Sequence, residues 1–371
     1  MGFWDCEVNV EGAAKQFAHG DIFVAATPYG EGHINDTYEA YYQRADGSKY
    51  RYILQRINTE AFQDPDGLMA NIVGVTEFLR EIIRKRGGDT ERETMTVVHP
   101  ENGGNYYHDE NDAYWRAYVF VEETISYQQI QKDSDFYNCG VSFGNFQRLL
   151  AEYPSETLTE PIKNFHNTED RFRLFKEAVA ADKCGRAALV KDEIAFAMAR
   201  EKDASLIVSQ LRDGSLPLRV THNDTKLNNI LIDAASGSGI CVIDLDTIMP
   251  GAACYDFGDS IRFGASTAAE DEKDLSKVSM DLHLFEVFTE GYMSVAKEFL
   301  TETEIASLSI GARLMTFECG IRFLTDYLNG DTYFKTHYEG HNVDRCHTQF
   351  KLVEDMEKKQ AEMDAIVRKY A

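Results

Sequence analysis

The stretch from Thr221 to Asn229 sets a histidine, a carboxylate and an amide at the spacing H-x-D-x-x-x-x-N. A further carboxylate, Asp244, follows 15 residues after Asn229, directly behind the apolar pair Val242-Ile243. Phosphoryl transfer from ATP needs a carboxylate that takes the proton of the accepting hydroxyl, and oxygen ligands for a magnesium ion. These residues can supply both. Taken one at a time, the same Asp and Asn side chains could instead form turn and cap hydrogen bonds.

The elements around this stretch predict an α+β fold of two lobes. Residues 1–120 form a β-rich lobe with one main helix, and residues 121–371 form a larger, mainly helical lobe that carries the motif. In the first lobe, alternating or tyrosine-rich runs predict strands, and apolar residues at helical spacing from Leu68 to Ile83 predict the helix, which Gly87-Gly88 ends. The predicted strands are Phe23–Thr27, Thr37–Gln43, Tyr50–Ile57, Met95–His99 and Ala113–Val121.

The second lobe is predicted to be helical, with short strands that flank the motif. The predicted strands are Leu218–Thr221, Ile230–Ile232 and Gly239–Ile243, and the predicted helices are Phe136–Tyr153, Asp170–Asp182, Asp192–Gln210 and several after Leu282.

Two glycines, Gly30 and Gly32, lie in a turn between the first two predicted strands. Glycines in such a turn let the backbone approach phosphates closely, although most G-x-G turns are only turns. No G-K-S/T follows, so the turn is not a P-loop. Its position, two strands ahead of the helix, suits a loop that covers the phosphates of a nucleotide.

The motif resembles the catalytic segment of the aminoglycoside phosphotransferase and choline kinase superfamily, distant relatives of the protein kinases. This resemblance implies a protein-kinase-like fold, Asp224 as the catalytic base, and Asn229 and Asp244 as magnesium ligands. It implies that Lys226 steadies the γ-phosphate and that His222 braces the loop. Other residues with implied roles are Asp246, a further ligand or a support of the ligands, and Asp256 and Asp259, helix caps or anchors of the loop.

The resemblance also implies that the adenine of ATP lies at a hinge formed by Phe120, Val121 and Glu122. The chain departs from the pattern of these kinases at one position. The third strand of these kinases carries a lysine or arginine that binds the α- and β-phosphates, and here Gln55 stands at that position beside Arg56. Either the metal and backbone groups hold ATP, or Arg56 swings in, or the chain is a non-catalytic pseudokinase.

Over nearly its full length the chain is similar to bacterial N-acetylhexosamine 1-kinases, which phosphorylate the anomeric hydroxyl of N-acetylglucosamine or N-acetylgalactosamine. The similarity implies that His33, Arg322 and Tyr333 bind the sugar. Alternatively, His33 only packs, Arg322 pairs with Asp326 on a helix surface, and Tyr333 is a loop aromatic without a ligand. The segments that carry the similarity are 28–35, 217–229, 244–251, 256–277 and 318–324.

The composition limits the kinds of molecule that we expect the protein to bind. The formal charge of −24 repels nucleic acid and anionic lipid, no apolar run is long enough to span a membrane, and no signal peptide is present, so we expect a cytoplasmic protein. The seven scattered cysteines fit reduced thiols. The same charge leaves open a kinase for a cationic acceptor such as choline or an aminoglycoside. The sequence does not rank the two N-acetylhexosamines or show the oligomeric state.

Overall fold

A computed structural model describes residues 8–30, 32 and 34–371 of the chain, and these residues form two compact units. The first unit contains the described residues up to Ile125, together with Glu152–Lys163 and Leu231–Met249. The second contains Ser126–Ala151, Asn164–Ile230 and Pro250–Ala371. The catalytic motif belongs to the second unit, whereas Asp244 belongs to the first.

The first unit is built on an antiparallel sheet of strand order β1-β2-β3-β6-β4, with β5 paired to β6. Trp115, Leu54 and Tyr42 are among its fully buried side chains, as expected for strands that cover a core with one face. Its elements are α1 (Val10–Lys15), β1 (Ile22–Pro28), β2 (Asp36–Gln43), β3 (Lys49–Ile57), α2 (Pro65–Lys85), β4 (Val97–Val98), β5 (Tyr107–His108) and β6 (Tyr114–Val119).

Helix α2 begins where the Asp64 side chain accepts a hydrogen bond from the amide of Gly67 and Pro65 occupies the first turn. Both features favour a helix start at this point. Its apolar face is buried, and its Asn71 side chain donates to the carbonyl oxygens of Thr159 and Ile248 at 2.9 and 3.0 Å. Asn71 thus ties the helix to the segment that follows Asp244.

A small sheet of order β10-β9-β7 leads to that segment. Strands β7 (Thr124–Ile125), β9 (Ile230–Asp233) and β10 (Gly239–Val242) form it, and the chain leaves β10 into Asp244 and a short 3-10 turn over Leu245–Thr247. The sheet therefore fixes the position of the backbone from which Asp244, the predicted metal ligand, projects.

The second unit is helical apart from the short pair β8 (Arg219–Thr221) and β11 (Met249–Gly251). Its helices are α3 (Asp133–Leu149), α4 (Thr168–Ala181), α5 (Lys191–Met198), α6 (Leu206–Asp213), α7 (Ala253–Gly264), α8 (Leu282–Ala296), α9 (Glu302–Asn329) and α10 (His341–Tyr370). Helices α7 and α9 approach closely at Gly258 and Gly311, since a Cβ atom at Gly258 would lie 2.4 Å from the Gly311 carbonyl oxygen. This contact seats α7, which carries Asp256 and Asp259, beneath the catalytic loop.

The sheet-rich and helical parts confirm the predicted α+β fold class. Among the finer predictions, one long helix over Asp192–Gln210 is wrong. The chain instead forms α5, a 3-10 stretch over Glu201–Ser205, and α6. The α-helical pattern ends at Arg200, because its amide donates to the carbonyl of Ala197, three residues back, and its guanidinium donates to the carbonyl of Phe196. No described helix is long and apolar enough to cross a membrane.

Candidate active site

The catalytic loop runs from the end of β8 to the start of β9, and it brings three of the predicted residues together. Asp224 is half-buried, and the Lys226 ammonium lies 2.7 Å from its Oδ1. The Asn229 amide donates to the backbone oxygen of Asp224 at 2.8 Å and to its Oδ2 at 3.2 Å. A partly exposed carboxylate held by two donors is a suitable proton acceptor for a substrate hydroxyl.

The backbone ahead of Asp224 has an unusual conformation. Asn223 has a φ of +66°, in the left-handed region that few residues other than glycine adopt. The buried carboxylate of Asp256 stabilises it, since Oδ1 accepts from the Asn223 amide at 2.8 Å and Oδ2 accepts from the His222 amide at 3.0 Å. Gln147 donates to the same Oδ2 at 2.7 Å. Asp256 is therefore an anchor of the loop, one of the two roles the sequence suggests.

Asp259 anchors the next residue of the loop. Its Oδ2 accepts from the Thr225 amide at 3.0 Å, and Arg262 binds its Oδ1. Burial alone would raise the pKa of Asp259, but Arg262 and Lys226 hold it below its ordinary value. The carboxylate therefore stays ionised beneath the loop.

His222 is fully buried, with its ring against the edges of Phe143 and Phe146. Its Nδ1 accepts a hydrogen bond from the Asp224 amide at 3.3 Å. The geometry is that of a brace inside the loop.

Lys226 lies among carboxylates. Burial acts to lower its pKa, but the charge and hydrogen bond of Asp224, with Asp259 beyond, raise the pKa above its ordinary value. The side chain thus carries a full positive charge beside the predicted base.

In the first unit, Asp244 has a φ of +61° and an exposed side chain at the start of the 3-10 turn. Left-handed backbone at a non-glycine residue is enriched at functional sites. Asp246, two residues on, is buried, and its carboxylate is bound by Arg116 and Asn35. Of the two roles suggested for Asp246, the geometry favours support of the ligands.

The donor chemistry fits magnesium. Because the Asn229 amide nitrogen is committed to Asp224, its oxygen Oδ1 is the end left for a metal, and it has no hydrogen bond to a described residue. Within the described ranges no three His, Cys, Asp or Glu side chains gather as a metal cluster. Magnesium in phosphoryl-transfer enzymes commonly takes only one or two protein carboxylates, with phosphate oxygens and water completing the shell.

Of the predicted nucleotide-binding residues, Gly30 and Gly32 lie between β1 and β2, and Phe120 directly follows β6. Gly30 has a φ of +77°, and apart from chain neighbours no atom of a described residue lies within 4 Å of a Cβ atom built at Gly30 or Gly32. The ring of Phe120 packs edge-on against Tyr29, with centroids 5.7 Å apart, and under the Arg51 guanidinium.

Two carbonyl oxygens of the predicted hinge already accept hydrogen bonds from protein side chains. The Val121 carbonyl accepts from Thr124, and the Glu122 carbonyl accepts from Arg92. The Glu122 carboxylate pairs with Arg51. A carbonyl oxygen has two lone pairs, so each can still accept a second bond.

Arg56 does not replace the missing lysine. It is buried on the opposite face of β3 from Gln55, where Asp36 accepts from its Nε at 2.7 Å. Glu77, on α2, is exposed to solvent.

A second group of predicted residues meets in the helical unit. The Arg322 guanidinium carbon lies 5.0 Å from the ring centre of Phe165, 5.9 Å from Tyr333 and 5.5 Å from Phe334. Tyr333 is 63% exposed, and its ring lies edge-on to that of Phe334 with centroids 4.8 Å apart. We call Phe165, Arg171, Arg322, Tyr333 and Phe334 the acceptor cluster.

The alternative pairing of Arg322 with Asp326 is not what the structure has. Asp326 accepts from the amides of Thr332, Tyr333 and Phe334 at 2.8–3.0 Å, and so holds the loop that carries Tyr333. Across the described residues, no carboxylate forms an ion pair with Arg322. His33 lies outside the described residues.

Two residues of this region escaped the sequence analysis. Arg171 lies beside Arg322, and burial followed by the charge of Arg322 lowers its pKa. His166 directs Nδ1 at the buried Glu318 at 2.7 Å. Arg171 Nη2 and His166 Nε2 are both buried and have no hydrogen-bond partner among the described residues. His166 and Glu318 are 152 positions apart, so no local spacing could pair them.

The profile of the phosphotransferase enzyme family matches residues 25–276, more than half of the chain. Solved structures that are similar include a microcompartment-associated aminopropanol kinase, with 16% identity, a TM-score of 0.59, and 96% of this chain and 99% of that chain covered. An amicoumacin kinase bound to AMP-PNP and Ca²⁺ has 13% identity, a TM-score of 0.59, and 93% of each chain covered.

An aminoglycoside phosphotransferase from Alicyclobacillus acidocaldarius is also similar, with 11% identity, a TM-score of 0.58, and 99% of this chain and 97% of that chain covered. At such low identities the similarity is evidence for the fold alone. It confirms the predicted protein-kinase-like fold, with a sheet-based first lobe and a helical second lobe. The family profile shows more. The chain belongs to the phosphotransferase enzyme family.

Proposed function

We propose that this protein is an ATP- and magnesium-dependent kinase that phosphorylates the C1 hydroxyl of N-acetylhexosamines, giving the sugar 1-phosphate and ADP. The observation that carries the kinase part is the group formed by Asp224, Lys226 and Asn229 on one anchored loop. Membership of the phosphotransferase enzyme family supports the same reaction.

In the proposed reaction Asp224 accepts a hydrogen bond from the C1 hydroxyl and takes its proton as the oxygen attacks the γ-phosphorus of ATP. The bond from that phosphorus to the β,γ-bridging oxygen breaks, and ADP leaves. Lys226 neutralises charge on the transferred group. Asn229 and Asp244 would hold the magnesium ion, which offsets negative charge on the phosphates when bound. Gly30, Gly32 and the backbone of 120–122 would bind the nucleotide.

The choice of acceptor depends on the acceptor cluster. Two guanidinium groups, Arg171 and Arg322, flank the ring of Phe165 at 6.0 and 5.0 Å. A cationic acceptor would be repelled there, since its recognition needs carboxylates or an aromatic cage without competing cations. Hydroxyl and carbonyl oxygens suit guanidinium donors, and an exposed ring such as that of Tyr333 suits the face of a sugar. The cluster therefore supports a neutral, oxygen-rich acceptor.

The test is an ADP-release assay with ATP, magnesium and separate acceptors. We expect turnover with N-acetylglucosamine or N-acetylgalactosamine. The matched control is the methyl glycoside of each sugar, which keeps every group except the free C1 hydroxyl and should not be phosphorylated. Turnover of choline or kanamycin without turnover of either sugar would reject the proposed acceptor. The absence of ADP with every acceptor would favour the pseudokinase.

A further inference from the structure

A row of polar side chains crosses three strands of the first unit at the position where the usual phosphate-binding lysine is missing. Thr37 of β2 lies opposite Gln55 of β3, and Gln55 lies opposite Arg116 of β6. Residues paired across strands project from the same face of a sheet. Accordingly, Arg116 Nε donates to Gln55 Oε1 at 3.0 Å, and Gln55 Nε2 donates to Thr37 Oγ1 at 2.9 Å.

Arg116 also reaches the loop of the predicted metal ligand. Its Nη1 lies 2.6 Å from Asp246 Oδ1, and its Nη2 donates to Asp246 Oδ2 at 2.8 Å. Asn35, at the end of the glycine loop, donates to the same Oδ2 at 2.6 Å. One guanidinium thus connects the third strand and the glycine loop with a residue two positions from Asp244.

This ion pair is deeply buried, since the side chains of Arg116 and Asp246 are 1% and 6% exposed. Coulombic attraction to Asp246 raises the pKa of Arg116 against the opposing effect of burial, so the guanidinium stays charged. A side chain this buried cannot touch a nucleotide directly. Gln55 is only partly buried, and the bond to Arg116 turns its amide so that nitrogen, and not oxygen, faces away from the guanidinium.

We propose that Arg116 is a positioning residue of the nucleotide and metal site. Its buried guanidinium compensates for the positive charge that position 55 lacks. It orients Gln55, whose second amide N–H donates to a phosphate oxygen of ATP, and it fixes Asp246 so that Asp244 keeps its left-handed backbone. The proposal rests on the kinase part of the proposed function but not on the acceptor.

The same sheet offers a matched control on its other face. Arg56 and Asp36 form an ion pair with side chains 4% and 19% exposed, and Arg56 projects from the face of β3 opposite Gln55. Removing one member of a buried pair leaves an unpaired charge and endangers folding, whereas neutralising both members is commonly tolerated. The comparison is therefore between R116M/D246N and R56M/D36N, each made as a double variant of the full chain.

The readout is calorimetric binding of AMP-PNP at a series of magnesium concentrations, with thermal unfolding alongside. We expect R116M/D246N to weaken binding and raise the magnesium midpoint by roughly 10- to 100-fold, the range found when supports of metal ligands are removed. R56M/D36N should stay within about threefold of the parent at a similar loss of thermal stability. Equal effects in both double variants, or unchanged binding in R116M/D246N, would overturn the proposal.

Gln55→Glu separates positioning from folding. The carboxylate still accepts from Arg116, so thermal stability should be retained or raised, but it can no longer donate and brings a negative charge towards the phosphates. We expect AMP-PNP affinity to fall by roughly 10-fold or more, and unchanged affinity would contradict the role of Gln55. A parent protein that binds no magnesium nucleotide would overturn this proposal and the kinase together. A parent that binds nucleotide but phosphorylates no sugar would remove only the acceptor.

Discussion

Asp256→Asn changes a single atom beneath the catalytic loop, and the structure gives the size of the effect. The carboxylate accepts three hydrogen bonds, from the amides of His222 and Asn223 and from the side chain of Gln147. An asparagine has one acceptor oxygen. In its better orientation the oxygen keeps the two bonds at the Oδ2 position, and the new NH₂ group faces the Asn223 amide, donor against donor.

A buried donor left without a partner costs about 1–3 kcal/mol. Here the affected amide is that of Asn223, which has a φ of +66° and directly precedes Asp224. Losing its partner therefore destabilises the backbone conformation that positions the base. If the active loop is disfavoured by that amount, kcat should fall by roughly 5- to 150-fold. The KM for ATP should change little, because Asp256 lies under the loop of the second unit and contacts none of the predicted nucleotide residues.

The assay is steady-state phosphorylation of N-acetylglucosamine, with urea unfolding of the same preparation. Asp109→Asn is the matched control, since the Asp109 carboxylate also accepts three hydrogen bonds from neutral donors, the amides of Asn111 and Ala113 and the indole of Trp115, and lies in the first unit. It should lose comparable stability and keep kcat within about twofold. A kcat loss of equal size in both variants, or a parent-like kcat in Asp256→Asn despite lost stability, would refute the reasoning.

Three further outcomes are expected. Asp224→Asn should lower kcat at least about 100-fold, because the amide cannot take the proton, while calorimetry still detects AMP-PNP binding; near-normal turnover would remove Asp224 as the base. Asp244→Asn should raise the magnesium concentration at half-maximal rate by about tenfold or more, and an unchanged magnesium titration would count against a metal ligand. Arg322→Met should raise the KM for the sugar by about tenfold with the KM for ATP unchanged, and the reverse pattern would move Arg322 out of the acceptor site.

The catalytic loop could be predicted from sequence because its parts are close along the chain. Asp224, Lys226 and Asn229 span six positions, so one turn and one 3-10 segment bring them together. The strands beside it follow from alternating hydrophobicity in the same way. These are local consequences of residue type, and local rules describe them well.

The residues that support Gln55 and the acceptor cluster could not be predicted from the sequence, since their contacts depend on distant packing. Arg116 meets Gln55 only because of the pairing register of β3 and β6, and a slip of one residue would turn it to the other face. Arg171 and His166 reach the acceptor cluster only through the packing of α4 against α9. A cation in the middle of a strand gives no sign in the sequence of whether it is exposed, paired or positioning another group.

The net charge illustrates the difference between the whole chain and one site. A charge of −24 suggests an affinity for cations, and it is the reason for considering choline or an aminoglycoside as acceptor. At physiological salt, charges are screened beyond about 8 Å, so the field on a bound acceptor comes from its immediate neighbours. Around the acceptor cluster, the Glu318 carboxylate is bound by His166 and Thr168 at 2.7 and 2.6 Å, and the Asp326 carboxylate accepts from the amides of Tyr333 and Phe334 at 2.8 and 3.0 Å. Among the described residues, Arg171 and Arg322 form no ion pair. The charges beside the cluster that lack an ion-pair partner are therefore positive inside a strongly negative protein, and we expect the proposed acceptor to follow these neighbours and not the net charge.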